Sequence, residues 1–252
     1  MAIDSHMHIN SYTSKDIIND INKININNEL ETVINIGLDL KTSKESINIT
    51  KDNDKFYSTI GIHPLYVDSQ DCNKLYKLAD DEKVVGIGEI GLDNSKNNLM
   101  LQKAFLIRQI QIANDLQLPV IIHSNNTNSE VLEVFKHNVK PEYGCVFHCF
   151  QPDLDVLKQL IDYGYYISFA GRITYKTAKK SIEVAKIVPD DLFLVETDSP
   201  YITPEPFNRN EINESANIKY IIQELALIKD KSYKEIEELT SNNTKRLYKK
   251  LK

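Results

Sequence analysis

Six short apolar runs in this chain each end on a side chain able to bind a metal ion. They read Ala2-Ile3-Asp4-Ser5-His6-Met7-His8, Thr59-Ile60-Gly61-Ile62-His63, Val85-Gly86-Ile87-Gly88-Glu89, Val120-Ile121-Ile122-His123, Cys145-Val146-Phe147-His148 and Phe193-Leu194-Val195-Glu196-Thr197-Asp198. Runs of this length and character mark parallel strands covered on both faces. Strands that all finish on ligand-type residues describe a sheet whose strand ends converge on one place.

Eight strands are predicted, over 2–6, 32–37, 56–62, 84–89, 119–123, 144–148, 165–170 and 192–197. Helical periodicity lies between them. Ser14 is placed to cap a helix carrying Ile17, Ile21 and Ile24 on one face. From Leu99 to Leu118, Ala104, Ile107, Gln111 and Asp115 share one side, and Phe105, Ile112 and Leu116 another. Ser129 is placed to cap Val131–Phe135, and Leu154–Tyr163 ends at Gly164, a C-terminal glycine. The stretch 215–229 and the tail from Tyr233 to Leu251 also read as helix. Strand and helix alternating in this way give a (β/α)8 barrel, with residues 1–252 as one domain. A doubly wound open sheet competes. It would hold the first and last strands far apart, whereas both end on ligands, and only a barrel makes them neighbours.

The net charge of −6 supplies no general basic field, so a phosphate-bearing partner has to be held locally. Cys72, Cys145 and Cys149 are too few and too unevenly placed for a disulfide framework. Cys145 and Cys149 flank Val146-Phe147 and read as small core residues in preference to metal ligands. No apolar run approaches the ~20 residues that span a bilayer, and the N-terminus lacks a signal-peptide pattern. The expectation is a cytoplasmic protein with no membrane association and no obligate protein partner.

His6 and His8, one residue apart on a strand, point to the same face. That motif alone is weak, but Glu89, His123, His148 and Asp198 at other strand ends complete four imidazoles and two carboxylates. Such a set suits magnesium, manganese or zinc, and six ligands exceed what one tetrahedral ion uses. Two divalent ions with Glu89 as the bridge are therefore expected, activating a water against a phosphoryl or acyl centre. Asp198 is placed to ligate and to accept that water's proton. His63 is expected either to contact substrate phosphate or to stand behind a ligand; His137, in a charged helical stretch, has no role.

The chain resembles the TatD family of metal-dependent deoxyribonucleases. The resemblance rests on Asp4-Ser5-His6-Met7-His8, Gly61-Ile62-His63-Pro64, Gly88-Glu89-Ile90-Gly91-Leu92-Asp93, Leu118-Pro119-Val120-Ile121-Ile122-His123, His148-Cys149-Phe150 and Glu196-Thr197-Asp198-Ser199-Pro200-Tyr201. It implies hydrolysis of DNA phosphodiesters from an end, with His6, His8, Glu89, His123, His148 and Asp198 holding two ions and Glu89, Asp198 and His63 taking part in the chemistry.

Some positions depart from the family pattern. Asn125 stands where an arginine is usual, Gln151-Pro152 where Ser-Gly is, and Ser215 follows Asn213-Glu214 where proline is usual; the segment after Asp93 is shortened. Positive charge for phosphate is then expected from Arg172, Lys176 and Arg209, on the rim after the seventh and eighth strands. Two other functions compete: a hydrolase of a small cyclic amide or ester, and a non-catalytic descendant of such an enzyme. Retention of all six ligands speaks against the second. The absence of lysine at the fourth strand end, where many amidohydrolases carry a bridging carboxylated lysine, speaks against the first.

Overall fold

A computed structural model describes residues 1–12 and 17–251 in full and 14–16 by their backbone. Eight parallel strands pair in chain order: β1 (Ala2–Met7), β2 (Leu30–Ile36), β3 (Phe56–Ile60), β4 (Val84–Asp93), β5 (Val120–Asn125), β6 (Cys145–Phe147), β7 (Tyr166–Phe169) and β8 (Phe193–Val195). The sheet closes on itself through a seam that polar side chains help to make. Ser5 Oγ donates to the Val195 carbonyl at 2.9 Å, and buried Asp4 accepts from Thr197 N at 2.9 Å and Thr197 Oγ1 at 2.6 Å. Beyond β8, Asp198 N donates to the His6 carbonyl and His8 N to that of Ser199. The last strand is thus stitched to the first where both carry ligand-type residues.

Nine helices surround the strands among the described residues: α1 (Ser14–Ile26), α2 (Leu40–Lys51), α3 (Lys74–Leu78), α4 (Leu99–Asp115), α5 (Asn128–His137), α6 (Leu154–Asp162), α7 (Lys179–Ile187), α8 (Ile218–Lys229) and α9 (Tyr233–Leu247). Capping boxes at Asp39/Thr42 and Ser232/Glu235 start α2 and α9 by satisfying the first free N–H groups. Gly164, at φ +68°, lets the chain turn out of α6 while its N–H reaches Ile161. The Ser14 side chain, expected to cap α1, lies outside the described residues. Ser129 is not a cap: Thr127 precedes α5, and its hydroxyl is given to the Leu92 carbonyl.

Two apolar layers follow from this arrangement. One lies between sheet and helices; the other fills the lower barrel with Ile34, Tyr57, Val85, Ile121, Val146, Tyr166 and Leu194. Leu247 and the fully buried Tyr248 close that floor. This is why α9 stops at Leu247, short of the expected Leu251: the next residue leaves the helix for the barrel interior. With the floor packed, the opposite end, at the strands' C-termini, is the open one. Among the described residues, no helix is long and apolar enough to cross a membrane.

The buried face of α4 differs from both expected stripes. It carries Gln102, Leu106, Gln109, Ile110 and Ala113, with Ile112 beside them. Gln102 accepts from Asp93 N and donates to the Asp93 carbonyl, and Gln109 does the same for Ile62, so each amide replaces a missing backbone partner.

Asp20, buried on α1, has a carboxylate oxygen with no hydrogen-bond partner. Burial, then the field of Glu214, pushes its pKa up to about 6 against the pull of Lys23. The folded chain therefore holds this proton more tightly than the unfolded one. The resulting penalty is absent below about pH 4, grows as pH rises and is complete above about pH 6. Asp20→Asn is expected to stabilise the fold by about 1–3 kcal/mol at pH 7.5 and to leave it nearly unchanged at pH 4. Melting curves at the two pH values check this; equal shifts at both would show that the charge is not the cause.

Candidate metal centre

Glu89 occupies the middle of the open end of the barrel, buried on β4 and preceded by a cis peptide at Gly88. Its Oε2 lies 3.5 Å from His6 Nε2 and 3.6 Å from His8 Nε2. Its Oε1 lies 2.7 Å from His123 Nδ1, 2.9 Å from His148 Nε2 and 3.5 Å from His63 Nε2. Asp198 closes the first group, with Oδ1 3.2 Å from His8 Nε2 and 3.7 Å from His6 Nε2. All six residues expected to bind metal, and His63 with them, are thereby brought together.

The donor set fits divalent cations. His6 Nε2 and His8 Nε2 stand 3.0 Å apart, where they share one proton at most, and both face carboxylates. Three overlapping groups each bring ligand-type atoms within 4.8 Å of one another: His6, His8 and Asp198; His6, Glu89 and His148; and His63, Glu89 and His123. No cysteine takes part. Cys145 is core as expected, but Cys149 is only partly buried, at φ +41° on the site's edge, its thiol pushed up to about 12, by burial first.

Charge within the cluster is unevenly shared. Burial works against ionised Glu89, yet the fields of His148 and His63 and the hydrogen bonds of His123 and His148 hold its carboxyl well below the usual range. Asp198 also stays ionised: burial opposes it, and the His8 hydrogen bond with the fields of His8, His148 and His6 outweighs that. Burial lowers His148 as well, but Glu89 and Glu196 raise it well above an ordinary imidazole. His6 and His63, where burial prevails, are lowered.

Two carboxylates behind the cluster received no role from the sequence. Asp93 Oδ2 lies 2.9 Å from His123 Nε2, fixing the proton on that nitrogen and turning Nδ1 toward Glu89. Glu196 Oε1 accepts from Cys149 N at 2.6 Å and lies 3.5 Å from His148 Nδ1. The available signal was position, since each sits near a ligand on the same strand or its extension. β4 runs four residues past its predicted end at Glu89 and so delivers Asp93. Asp93→Asn removes the charge that orients His123; metal affinity is expected to fall about 10- to 100-fold, read by calorimetric titration. An unchanged affinity would make Asp93 a purely structural partner.

Asn125 and Gln151, two of the departures from the family pattern, meet in space. Gln151 Nε2 donates to Asn125 Oδ1 at 3.1 Å, and Asn125 Nδ2 donates to Asp93 Oδ1 at 3.2 Å. Asn213 ties down the loop after β8 by donating to the carbonyls of Thr197 and Tyr201. The three basic residues expected at the rim stay outside the cluster. Arg172 and Lys176 are exposed in the turn after β7. Arg209 pairs with Glu205 at 3.4 Å and stacks 3.7 Å over the Tyr175 ring.

The family model described as TatD related DNase matches residues 3–249. The chain belongs to the TatD family. It is similar to the uncharacterized metal-dependent hydrolase YabD of Bacillus subtilis, 32% identical over 98% of this chain and 99% of that one. The uncharacterized metal-dependent hydrolase YcfH of Escherichia coli is 30% identical over 98% and 95% of the two chains. Among solved structures, the TatD homologue YJJV of Escherichia coli superposes with a TM-score of 0.90 at 25% identity, covering 98% of both chains. This TatD chain thus carries the architecture of a family of metal-dependent hydrolases along its whole length, with its ligand-type residues gathered at the open end of the barrel.

Proposed function

We propose that this TatD protein hydrolyses phosphodiester bonds in DNA from a strand end, using a water activated between two divalent ions. The observation that carries this reading is the division of Glu89, one oxygen facing His6 and His8 and the other facing His123 and His148. A carboxylate so placed serves as a bridge. His6, His8 and Asp198 would complete one ion site, and His123 and His148 the other. Divalent ions held there would lower the pKa of a water and polarise the phosphoryl oxygens.

The chain's own side chains do the rest. Asp198 is ionised and buried, and its backbone is fixed through the Asp198 N to His6 carbonyl bond, so it is placed to take the proton of the attacking water. His63 Nδ1 accepts from Leu65 N at 3.1 Å, which leaves the proton on Nε2. A neutral imidazole with Nε2–H turned into the site is a donor to a phosphoryl oxygen, not a ligand. This favours the substrate-contacting role for His63 over metal binding. DNA as the substrate rests on family membership. Arg172 supplies rim charge for its phosphates, with Lys176 and Arg209 further along the same loops.

The test is nucleotide release from end-labelled single-stranded DNA by protein stripped with chelator and resupplied with Mg²⁺, Mn²⁺ or Zn²⁺. Release restored by metal is the expected result. Stoichiometric metal binding without release from single-stranded or duplex DNA would overturn the reading.

A further inference from the structure

Asp20 lines a cleft that the metal cluster does not share. The cleft, of about 360 Å³, lies between α1 and the loop leading to α8, and its walls include Tyr12, Asp20, Lys23, Ile26, Ile212 and Glu214. Every group of three metal-type ligands among the described residues lies at the open end of the barrel, and none includes a residue of this cleft. Asp20 is only 4% exposed, and one of its carboxylate oxygens is buried without a hydrogen-bond partner. Buried charge is ordinarily paired, so an unpaired one points to a cation from outside the chain. The neighbours that could serve it are committed elsewhere. Tyr12 gives its hydroxyl to the Asn213 carbonyl at 2.5 Å, and Lys23 pairs with Glu214. Lys23 therefore offsets the buried charge only through space, against burial and the field of Glu214. The Lys23–Glu214 pair is itself exposed, so exchanging one ammonium for another there costs little. Ile26 and Ile212 stand 78% and 63% exposed on the same walls. Such apolar surface suits a hydrocarbon chain, whereas a hard metal ion needs a full shell of oxygens.

We infer that this cleft binds a short aliphatic diamine, one ammonium against Asp20 and the other taking Glu214 from Lys23. The carbon chain lies along Ile26 and Ile212. The charges match: two carboxylates meet two ammonium groups, and Lys23 is released to solvent. An ammonium against Asp20 supplies the N–H donors that this carboxylate lacks. A neutral ligand of the same shape leaves the carboxylate unpaired, and a bare cation leaves the isoleucines uncovered. The site is independent of the phosphodiesterase reading.

The experiment titrates diaminopentane into the metal-loaded protein by calorimetry at pH 7.5, with pentanediol as the uncharged probe of the same length. Asp20→Asn is compared with Asp155→Asn, which removes an exposed carboxylate on α6. Asp20→Asn keeps the shape of the side chain and is expected to be at least as stable as wild type at this pH. Lost binding is then not lost folding, and melting curves confirm it. The wild-type protein is expected to bind one diamine, and Asp20→Asn to bind it about 10- to 100-fold more weakly. Asp155→Asn should stay within about twofold of wild type, and the diol should bind at least about tenfold more weakly than the diamine. In parallel, the diamine should raise the Tm of wild type and of Asp155→Asn more than that of Asp20→Asn. Equal affinity in wild type and Asp20→Asn, or equal losses in the two variants, would overturn the site. So would a wild-type protein that the diamine does not saturate, or one that binds the diol as tightly.

Discussion

Glu89→Gln is expected to lower hydrolysis by at least about a thousandfold and to leave at most one of the two ions proposed for the wild-type protein. The substitution keeps the shape of the side chain and removes its charge. In the native protein, Oε1 serves His123 and His148 at 2.7 and 2.9 Å while Oε2 faces His6 and His8. An amide cannot serve both sides. One end of it would present N–H groups where a lone pair is needed, repelling a cation as well as failing to bind it. The effect should exceed that of Asp93→Asn, because Asp93 orients one ligand and Glu89 lies against all five histidines of the cluster. Metal content by elemental analysis and turnover of single-stranded DNA check it together. A Gln variant holding two ions and keeping its rate within about tenfold would remove Glu89 from the bridge.

The residues that proved legible are those whose chemistry is stated locally. All eight strands were found because each is a short, largely apolar run, a pattern needing no knowledge of neighbours, and six of those runs lead to a ligand-type residue. The six metal-type ligands followed from those ends. What was not legible depends on partners distant in the chain. α2 buries Ser43, Ser46, Ile47 and Thr50, small polar residues that satisfy neighbouring groups, such as Ser46 Oγ to the Asn35 carbonyl and to Ser58 Oγ. It therefore shows no apolar stripe. The buried face of α4 was misread for the same reason: Gln102 and Gln109 look like solvent residues until the backbone groups they serve, on β4 and after β3, are placed beside them. The link from Asp93 to His123 depends on the β4–β5 register, which sets Gly91 beside His123 and Asp93 beside Asn125. The partners of a rim cation were not legible either: Arg209 is engaged by Glu205 and Tyr175, on its own and a neighbouring loop.

That same register makes Gly91 the position where a single methyl group should do most damage. Gly91 lies between Glu89 and Asp93 on β4, at φ +150°, and a Cβ built there would fall 1.9 Å from the His123 carbonyl oxygen and 2.8 Å from its carbon. Both are backbone atoms of β5, so no side chain can rotate away; the strand itself has to move. It would move at the residue whose ring spans Glu89 and Asp93. Gly91→Ala is therefore expected to cost about 3–5 kcal/mol of stability and, in the fraction that folds, about a hundredfold or more in rate. Gly164→Ala separates conformational strain from collision. Gly164 also has positive φ, at +68°, but nothing lies within 4 Å of its Cβ position, and it ends α6 far in sequence from any ligand. That variant should lose only about 1–2 kcal/mol and keep its activity. Thermal denaturation and turnover of the two variants side by side decide the matter. Equal stability losses would mean that β5 yields at His123, and that the close approach of β4 and β5 is not what holds the imidazole in place.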